Sequence, residues 1–298
     1  MCEESENLHI PVLLNKVIEY LSPSPGKVIV DCTAGTGGHS LEIGRRIAPD
    51  GHLVMIDRDQ AVLQTASKRV SSLENVSILA ENYSALPDIL EHLGITGIDG
   101  ILFDLGVSSI QLDTAERGFS FHRNGPLDMR MNQDEDTPTA ADIVNTWPRK
   151  QLAQIFREYS DERLAGKIAA AIDRQRKEEP LRDTLTLAET ICRAYGPKKH
   201  RIHPATRTFQ ALRIAVNREL DSLKNALGSG FEHLNPSGRM VVLAFHSVED
   251  RIVKNFFRCM QNQCYGKILT KKPILPNENE INENPRARSA KLRAVEKS

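Results

Sequence analysis

The chain has 298 residues, of which 40% are hydrophobic and 26% are charged, and its formal net charge is zero. These proportions are ordinary for a soluble globular protein and give enough apolar material for one large or two modest domains. Because the charges balance, no global basic field attracts nucleic acid, and an RNA partner would require a local basic surface.

Five scattered cysteines form no C-x-x-C pair, so neither a disulfide framework nor a metal site is indicated. The reducing cytosol suits such a chain. Residues 1–9 show no signal-peptide pattern, and no apolar run approaches the roughly 20 residues that cross a membrane. We therefore expect a cytoplasmic protein without a membrane segment.

Up to residue 104, helical and strand patterns alternate along the chain. Helices are predicted over 12–21, 40–47 and 60–70, with Asp59 as the N-cap of the third. Apolar runs typical of buried parallel strands lie at 27–32, 52–57, 76–80 and 98–104. Strands and helices at this spacing indicate βαβ units and a parallel sheet.

The alternation stops at about residue 113, and the next strand pattern lies at 239–245. Between them, helices are predicted over 149–159, 161–177, 185–195 and 205–227. A helix at 248–260, strands at 266–270 and 290–295, and an Asn/Glu/Pro-rich loop at 273–285 complete the pattern. We predict a doubly wound α/β domain, residues 1–112 and 214–298, interrupted by a helical substrate-recognition domain, residues 113–213. The insert follows the carboxyl end of a parallel strand. Loops at these strand ends surround the ligand site, so an insert there can hold the second substrate.

A glycine-rich turn, Asp31-Cys-Thr-Ala-Gly35-Thr-Gly37-Gly38-His39, directly follows the first strand. Glycines let the backbone turn tightly and approach a ligand closely. Leu41 stands where the dinucleotide fingerprint needs its third glycine, which argues against an NAD-dependent oxidoreductase. The D-x-x-x-G-x-G form instead resembles the class I methyltransferase loop, which holds a cofactor without phosphates. The alternative is a purely structural turn.

Two further residues suit a nucleoside-like cofactor. Asp57 ends the second strand, where a carboxylate can bind both ribose hydroxyls. Tyr83 lies just beyond the third strand and can flank an adenine ring, although its position alone favours an ordinary half-buried tyrosine.

The fourth strand ends in Asp104-Leu-Gly-Val-Ser108-Ser109, at the place where class I methyltransferases face the acceptor. Class I methyltransferases that act on amino groups carry a short motif here that begins with a polar residue. An amino nitrogen such as that of cytosine shares its lone pair with the ring and is a poor nucleophile. A hydrogen-bond acceptor against its N–H bonds favours a pyramidal nitrogen and later removes the proton. We predict this role for Asp104 with Ser108 and Ser109 nearby. The alternative is that Asp104 caps a helix or turn.

Segments spread over nearly the whole chain resemble the bacterial family that methylates N4 of a cytidine in 16S ribosomal RNA of the small subunit. The most specific are Gly125-Pro-Leu-Asp-Met-Arg-Met131 and the Arg-Thr-Phe-Gln-Ala-Leu-Arg run at 207–213. The others lie at 9–14, 31–40, 56–59, 99–111, 116–121, 203–220, 244–254 and 284–293.

The resemblance implies a Rossmann-like class I methyltransferase fold whose mostly parallel sheet carries a C-terminal antiparallel strand. It also implies S-adenosylmethionine as the methyl donor and a cytidine in the decoding region as the acceptor. We expect direct displacement without a covalent enzyme intermediate, because an exocyclic amine can attack the methyl group directly. The residues that it places against the cofactor are Gly37, Gly38, His39, Asp57, Tyr83, Asp104 and Gln111, and Gly35 joins them from the turn. Asn15-Lys16 departs from the family, which commonly has an acid there.

Polar residues of the later helices are predicted to bind the RNA. Arg207, Gln210 and Asn217 share one helical face, with Arg213 on the same helix, and a solvated face with internal ion pairs is an equal alternative. His246 is also predicted to bind the substrate. It precedes a helix for which Ser247 is the expected N-cap. Basic clusters lie at 198–203 and 286–293, where phosphate binding and plain solvated surface are equally favoured.

Three alternative functions stay open beside methylation of 16S ribosomal RNA: methylation of another RNA, methylation of a small molecule, and a non-catalytic role in ribosome assembly. A methyltransferase for another RNA or for a small molecule would share the cofactor site and differ in the insert. A non-catalytic ribosome assembly factor would use the fold for shape alone.

A homodimer is compatible with the sequence, which does not specify the oligomeric state.

Overall fold

A computed structural model describes residues 11–198 and 200–298 of the chain. Residues 1–10, with Cys2 and the start of the 9–14 segment, and Lys199 of the first basic cluster lie outside the described residues. The chain divides into a unit made of residues up to 106 with 222–298, here the sheet unit, and a unit of residues 107–221, here the helical unit. The sequence-based boundaries at 112/113 and 213/214 both fall inside the helical unit.

The sheet unit is built on seven strands in the order β3-β2-β1-β4-β5-β7-β6. Their bounds are β1 (Val28–Asp31), β2 (His52–Asp57), β3 (Val76–Ala80), β4 (Ile98–Asp104), β5 (Leu234–Ala244), β6 (Gly266–Ile268) and β7 (Lys291–Lys297). The neighbours among β1 to β5 pair in parallel, whereas β7 is antiparallel to both β5 and β6. The predicted mostly parallel sheet with a C-terminal antiparallel strand is confirmed.

Helices cover both faces of this sheet, which explains why its strands are apolar without alternation. In β2, Val54 and Ile56 belong to one buried cluster, and Leu53 and Met55 belong to the other. The helices are α1 (Leu14–Leu21), α2 (Gly38–Ile47), α3 (Gln60–Arg69), α4 (Leu86–His92), most of α11 (Glu219–His233), α12 (Ser247–Asn262) and α13 (Glu278–Glu283). As predicted, the Asp59 side chain caps α3 by accepting from the N–H groups of Ala61 and Val62.

The register of the parallel strands brings three carboxylates to one edge of the sheet. Asp31 ends β1, Asp57 ends β2 and Asp104 ends β4. Asp31 pairs with Met55 on one side and with Leu102 on the other, each two residues before the end of its strand. The carboxyl ends of three adjacent strands therefore present acidic side chains together.

The helical unit contains α5 (Ser109–Asp113), α6 (Ala140–Thr146), α7 (Arg149–Ser160), α8 (Ala165–Glu178), α9 (Thr184–Tyr195) and α10 (Ala205–Asn217). Its core is separate from those of the sheet unit and includes the fully buried Leu152, Phe156, Ile168, Ile172 and Leu187. No described helix in either unit is long and apolar enough to span a membrane.

The prediction of one helix over 205–227 was wrong, because α10 ends at Asn217 and α11 begins at Glu219. Arg218 between them takes a left-handed conformation with φ of 51°. The Asn217 side chain donates to the carbonyls of Met129 and Arg213 and accepts from the N–H of Met131. These contacts with a distant segment stabilise the break.

Four short helices, α4, α5, α6 and α13, were not predicted from the sequence. Thr139 and Asp142 form a capping box at the start of α6, and α4 follows a 3-10 turn at 83–85. Asn277 caps α13 within the segment predicted as a loop at 273–285.

Candidate active site at the carboxyl edge of the sheet

The turn between β1 and α2 uses its glycines in two different ways. A Cβ on Gly37 would lie 3.2 Å from the Cα of Ala66, and one on Gly38 would lie 2.5 Å from Pro11, so these glycines allow close packing. Gly35 has φ of 52°, and a Cβ there would meet no atom closer than 3.8 Å. Gly35 is therefore favoured by its left-handed backbone and not by close packing.

Asp57 is tied to this turn by its own carboxylate. One oxygen accepts from the N–H of Gly35 and the other from the N–H of Asp59, both at 2.9 Å. Each carboxylate oxygen keeps a further lone pair, which two adjacent hydroxyl groups can use. Burial raises the pKa of Asp57 to about 6, against which the two backbone hydrogen bonds act.

Asp31, which the sequence analysis did not single out, lies beneath the turn. It is 1% exposed, accepts from the Ser40 hydroxyl at 2.6 Å, and also accepts from the N–H of Thr33 at 3.2 Å. Burial raises the pKa of Asp31, and the Ser40 hydrogen bond lowers it in part. Its place at the head of the D-x-x-x-G pattern was the signal that could have found it.

His39 and Asp104 form the polar centre of this edge. His39 is 5% exposed, and its Nε2 lies 3.5 Å from Oδ2 of Asp104. Neither ring nitrogen of His39, nor Oδ1 of Asp104, has a hydrogen-bond partner among the described residues. The Asp104 N–H donates to the Thr33 hydroxyl at 2.6 Å, which fixes the backbone and leaves the carboxylate available. Buried polar atoms without partners cost about 1–3 kcal/mol each, so a polar ligand stabilises this arrangement.

These residues fit S-adenosylmethionine better than a dinucleotide. Asp57 offers acceptors suited to the ribose hydroxyls, and the Gly35 N–H ties it to the glycine turn. Three carboxylates, from Asp31, Asp57 and Asp104, meet at this edge. Such a cluster repels a pyrophosphate and attracts the positive charge of a sulfonium group.

Tyr83 lies in the 3-10 turn directly after β3 and is half-buried. Its ring meets the buried ring of Phe103 edge-on, with centroids 5.7 Å apart. This packing orients the tyrosine, and its contact with an adenine ring stays a prediction.

The residues predicted just after Asp104 belong to the helical unit. Ser108 is the N-cap of α5 and forms a capping box with Gln111, which is 4% exposed. The Ser109 hydroxyl is buried without a hydrogen-bond partner among the described residues. A structural role thus accounts for Ser108 and Gln111, while the catalytic and cofactor roles predicted for these three residues stay predictions.

The predicted RNA-binding residues of α10 contact other parts of the helical unit. Arg213 donates two hydrogen bonds of 2.8 Å to the carboxylate of Glu219. Gln210 donates to the carbonyl of Tyr159 at 3.0 Å, and Arg207 donates to that of Asp161 at 3.3 Å. These contacts agree with the alternative that the polar side chains of α10 pair within the protein. Their role in substrate binding stays a prediction.

His246, not Ser247, is the N-cap of α12, so the predicted cap was wrong. His246 has an extended backbone with φ of −139°, and its ring accepts from the N–H of Glu249. Its Nε2 lies 3.0 Å from a Glu249 oxygen. Asp250, in the first turn of α12, pairs with Lys291 and Arg293 of the second basic cluster, which are therefore partly neutralised.

Comparison with known proteins assigns the chain to a family. A family model described as the MraW methylase family matches residues 6–298. Ribosomal RNA small subunit methyltransferase H of Carboxydothermus hydrogenoformans is 48% identical, covering 97% of both chains. The same-named protein of Pelobacter propionicus is 47% identical over 97% of this chain and 98% of its own. A putative methyltransferase from Streptococcus mutans, solved in complex with SAH, covers 97% of this chain and 100% of its own with 11% identity and a TM-score of 0.47. The predicted family is confirmed, and the chain belongs to the MraW methylase family.

Proposed function

We propose that this protein transfers a methyl group from S-adenosylmethionine to N4 of a cytidine in 16S ribosomal RNA. S-adenosylmethionine is the cofactor of this methylase family, as predicted. The names of the relatives support small-subunit ribosomal RNA as the substrate. The cytidine N4 and the decoding region rest on the resemblance of the Gly125–Met131 and 207–213 segments.

The observation that carries the proposal is the arrangement of His39 and Asp104 at the ends of the parallel strands. Asp104 has one buried oxygen without a partner and a second oxygen near an imidazole. This arrangement suits a group that accepts a hydrogen bond from an amine and then takes its proton.

The side chains of the sheet edge have separate tasks in this reaction. When bound, the cofactor supplies a methyl group activated by a sulfonium sulfur. Asp57 binds the ribose hydroxyls, and the carboxylates of Asp31 and Asp104 stabilise the positive charge. Asp104 accepts a hydrogen bond from the N4 amino group, which directs the nitrogen lone pair toward the methyl carbon.

The methyl group passes to N4 directly, without a covalent enzyme intermediate. The N4 lone pair would form the new N–C bond to the methyl group that the bound cofactor supplies, and the electron pair of the broken C–S bond would remain on the cofactor's sulfur. The methylated nitrogen then loses one proton to the carboxylate of Asp104. Cys32, which directly follows β1, is buried, and burial raises its pKa well above the usual range, so it does not supply a thiolate nucleophile.

The RNA must expose its target base to this edge. A paired or stacked cytidine hides its amino group, so the target is unstacked before transfer. Contacts with the RNA of the small ribosomal subunit are proposed for Ser108, Ser109, Arg207, Gln210 and Arg213 of the helical unit. A contact with the RNA is proposed separately for His246 of the sheet unit.

The experiment is mass spectrometry of 16S ribosomal RNA from a strain that lacks this gene. We expect one cytidine to lose the mass of a methyl group, and the parent gene on a plasmid to restore it. Fragmentation must place the methyl group on the base at N4. A deletion strain with unchanged ribosomal RNA would contradict the proposal and favour a different RNA, a small molecule or an assembly role.

A further inference from the structure

A second feature lies on the surface of the helical unit, in a patch formed by residues 121–123, 198 and 200–203 and here called the aromatic patch. The rings of Phe121 and His203 are stacked, with centroids 4.5 Å apart and planes inclined by 22°. Phe209, which is 4% exposed, meets Phe121 edge-on at 5.0 Å. The buried phenylalanine thus supports Phe121, and Phe121 supports the imidazole.

Contacts on its edges fix the orientation of the His203 ring. The N–H of Ala205 donates to Nδ1 at 3.2 Å, and Nε2 lies 3.8 Å from Sγ of Cys192. One ring face lies on Phe121 and both nitrogens have partners, yet the residue is exposed. We therefore assign the second ring face as the surface open to a ligand.

The imidazole is held in its neutral form. Partial burial lowers the pKa of His203, and the neighbouring His122 lowers it further. Nδ1 must also stay deprotonated to accept from Ala205. A flat, neutral ring with a fixed orientation loses little entropy when another ring stacks on it.

Exposed basic residues flank His203 and Phe121 in the sequence. Lys198, Arg201 and Arg123 are exposed, as are His122 and His200. An aromatic face among cations is the combination that binds single-stranded RNA, because the base stacks while the phosphates meet the charges. An acidic peptide would use the cations and would have no need of the oriented ring.

We propose that the aromatic patch binds an unpaired segment of RNA by stacking one base on the exposed face of His203. That the RNA is the methylation substrate rests on the proposed function, whereas binding by stacking rests on the patch itself. Base pairs within a duplex already stack on each other, so the patch discriminates in favour of single strands.

The test measures the anisotropy of a fluorescein-labelled mixed-sequence RNA, about 12 nucleotides long, with the full chain. His203→Asn keeps a side-chain acceptor for the Ala205 N–H and removes the ring, whereas His203→Phe keeps the ring face and removes the acceptor. We expect His203→Asn to weaken single-strand binding about 5- to 30-fold and His203→Phe to stay within about 3-fold of the parent. His92→Asn, at an exposed histidine of α4, is the matched control and should bind as the parent does.

Charge is tested separately from stacking. Lys198→Ala with Arg201→Ala should lower the slope of log K against log salt by about 1.4, or about 0.7 for each phosphate that the protein no longer neutralises. His203→Asn should leave that slope unchanged, and it should bind a duplex of the same sequence as weakly as the parent does.

The outcomes separate the patch from the proposed function. If the parent and folded His203→Asn bind single-stranded RNA equally well, the proposal of base stacking on His203 is contradicted, even if the parent methylates ribosomal RNA. Loss of binding in the cation variant alone also overturns it and indicates an anionic partner held without stacking. If His203→Asn loses binding while the parent methylates no RNA, the patch stands and the proposed function fails.

Discussion

Two buried polar clusters of this molecule differ in how far their hydrogen-bonding capacity is used. At the carboxyl edge of the sheet, both ring nitrogens of His39 and one oxygen of Asp104 have no hydrogen-bond partner among the described residues. At the α10–α11 break, Asn217 uses its amide fully and Arg213 makes two hydrogen bonds to Glu219. Since an unpartnered buried group costs free energy, unused capacity indicates a ligand site, whereas used capacity indicates architecture.

The largest expected effect is on stability, at the cluster whose capacity is used. Arg213→Ala leaves the Glu219 carboxylate without its partner, and we expect the free energy of unfolding to fall by about 3 kcal/mol. Urea denaturation followed by circular dichroism measures the change. Lys177→Ala, which removes an exposed partner of Asp173, should cost less than about 0.5 kcal/mol. Equal losses in both variants would remove the contrast between the two clusters.

The next effect is on chemistry, at the cluster with unused capacity. Asp104→Asn preserves size and removes the charge, so the protein should fold while single-turnover methylation falls by about 100-fold at saturating cofactor. Asp50→Asn, at an exposed carboxylate before β2, is the control and should keep the parent rate. If Asp104→Asn transfers methyl at the parent rate, Asp104 has no catalytic role.

A smaller effect is expected on cofactor affinity. Asp57→Ala removes the acceptors for the ribose hydroxyls, so binding of S-adenosylmethionine should weaken by about 1–3 kcal/mol in calorimetry. Asp57→Asn keeps one oxygen acceptor and should lose less. Unchanged affinity in the alanine variant would show that the ribose lies elsewhere.

The smallest effect is a pH dependence of the same affinity. Because burial raises the pKa of Asp57 to about 6, the carboxylate is ionised above that pH and becomes protonated below it. Protonation removes acceptor capacity, so affinity should fall as the pH drops from 7.5 through 6 toward 5, by at most about tenfold per pH unit. Calorimetry at constant ionic strength should find this fall reduced in Asp57→Asn. A parent affinity that does not change over this range would contradict the assigned protonation.

Much of the sheet was predictable because local pattern determines it. The bounds of β2, β3 and β4 agree with the sequence prediction, since each strand is a short, mostly apolar run that ends at or just before a polar residue. The end of α10 was not predictable, because it depends on Asn217 contacting Met129 and Met131, which lie far away in the sequence.

The site was predictable to the same extent. The acids that end β2 and β4, and the glycines that follow β1, were found from their positions. The burial of Asp31 against Ser40 was not, since hydrogen bonds between side chains leave no periodic signal. The choice of His246 over Ser247 as a cap was also missed, because it depends on backbone angles that sequence does not specify.

The central claim is that the edge formed by Asp31, Asp57, Asp104 and His39 directs a methyl group to a cytidine amine. The most direct measurement incubates small ribosomal subunits that lack the modification with the purified protein and methyl-labelled S-adenosylmethionine, and then locates the label by nucleoside analysis. The account predicts label on N4 of one cytidine with the parent protein and about 100-fold slower labelling with Asp104→Asn. Label on another atom, or equal labelling by both proteins, would contradict it.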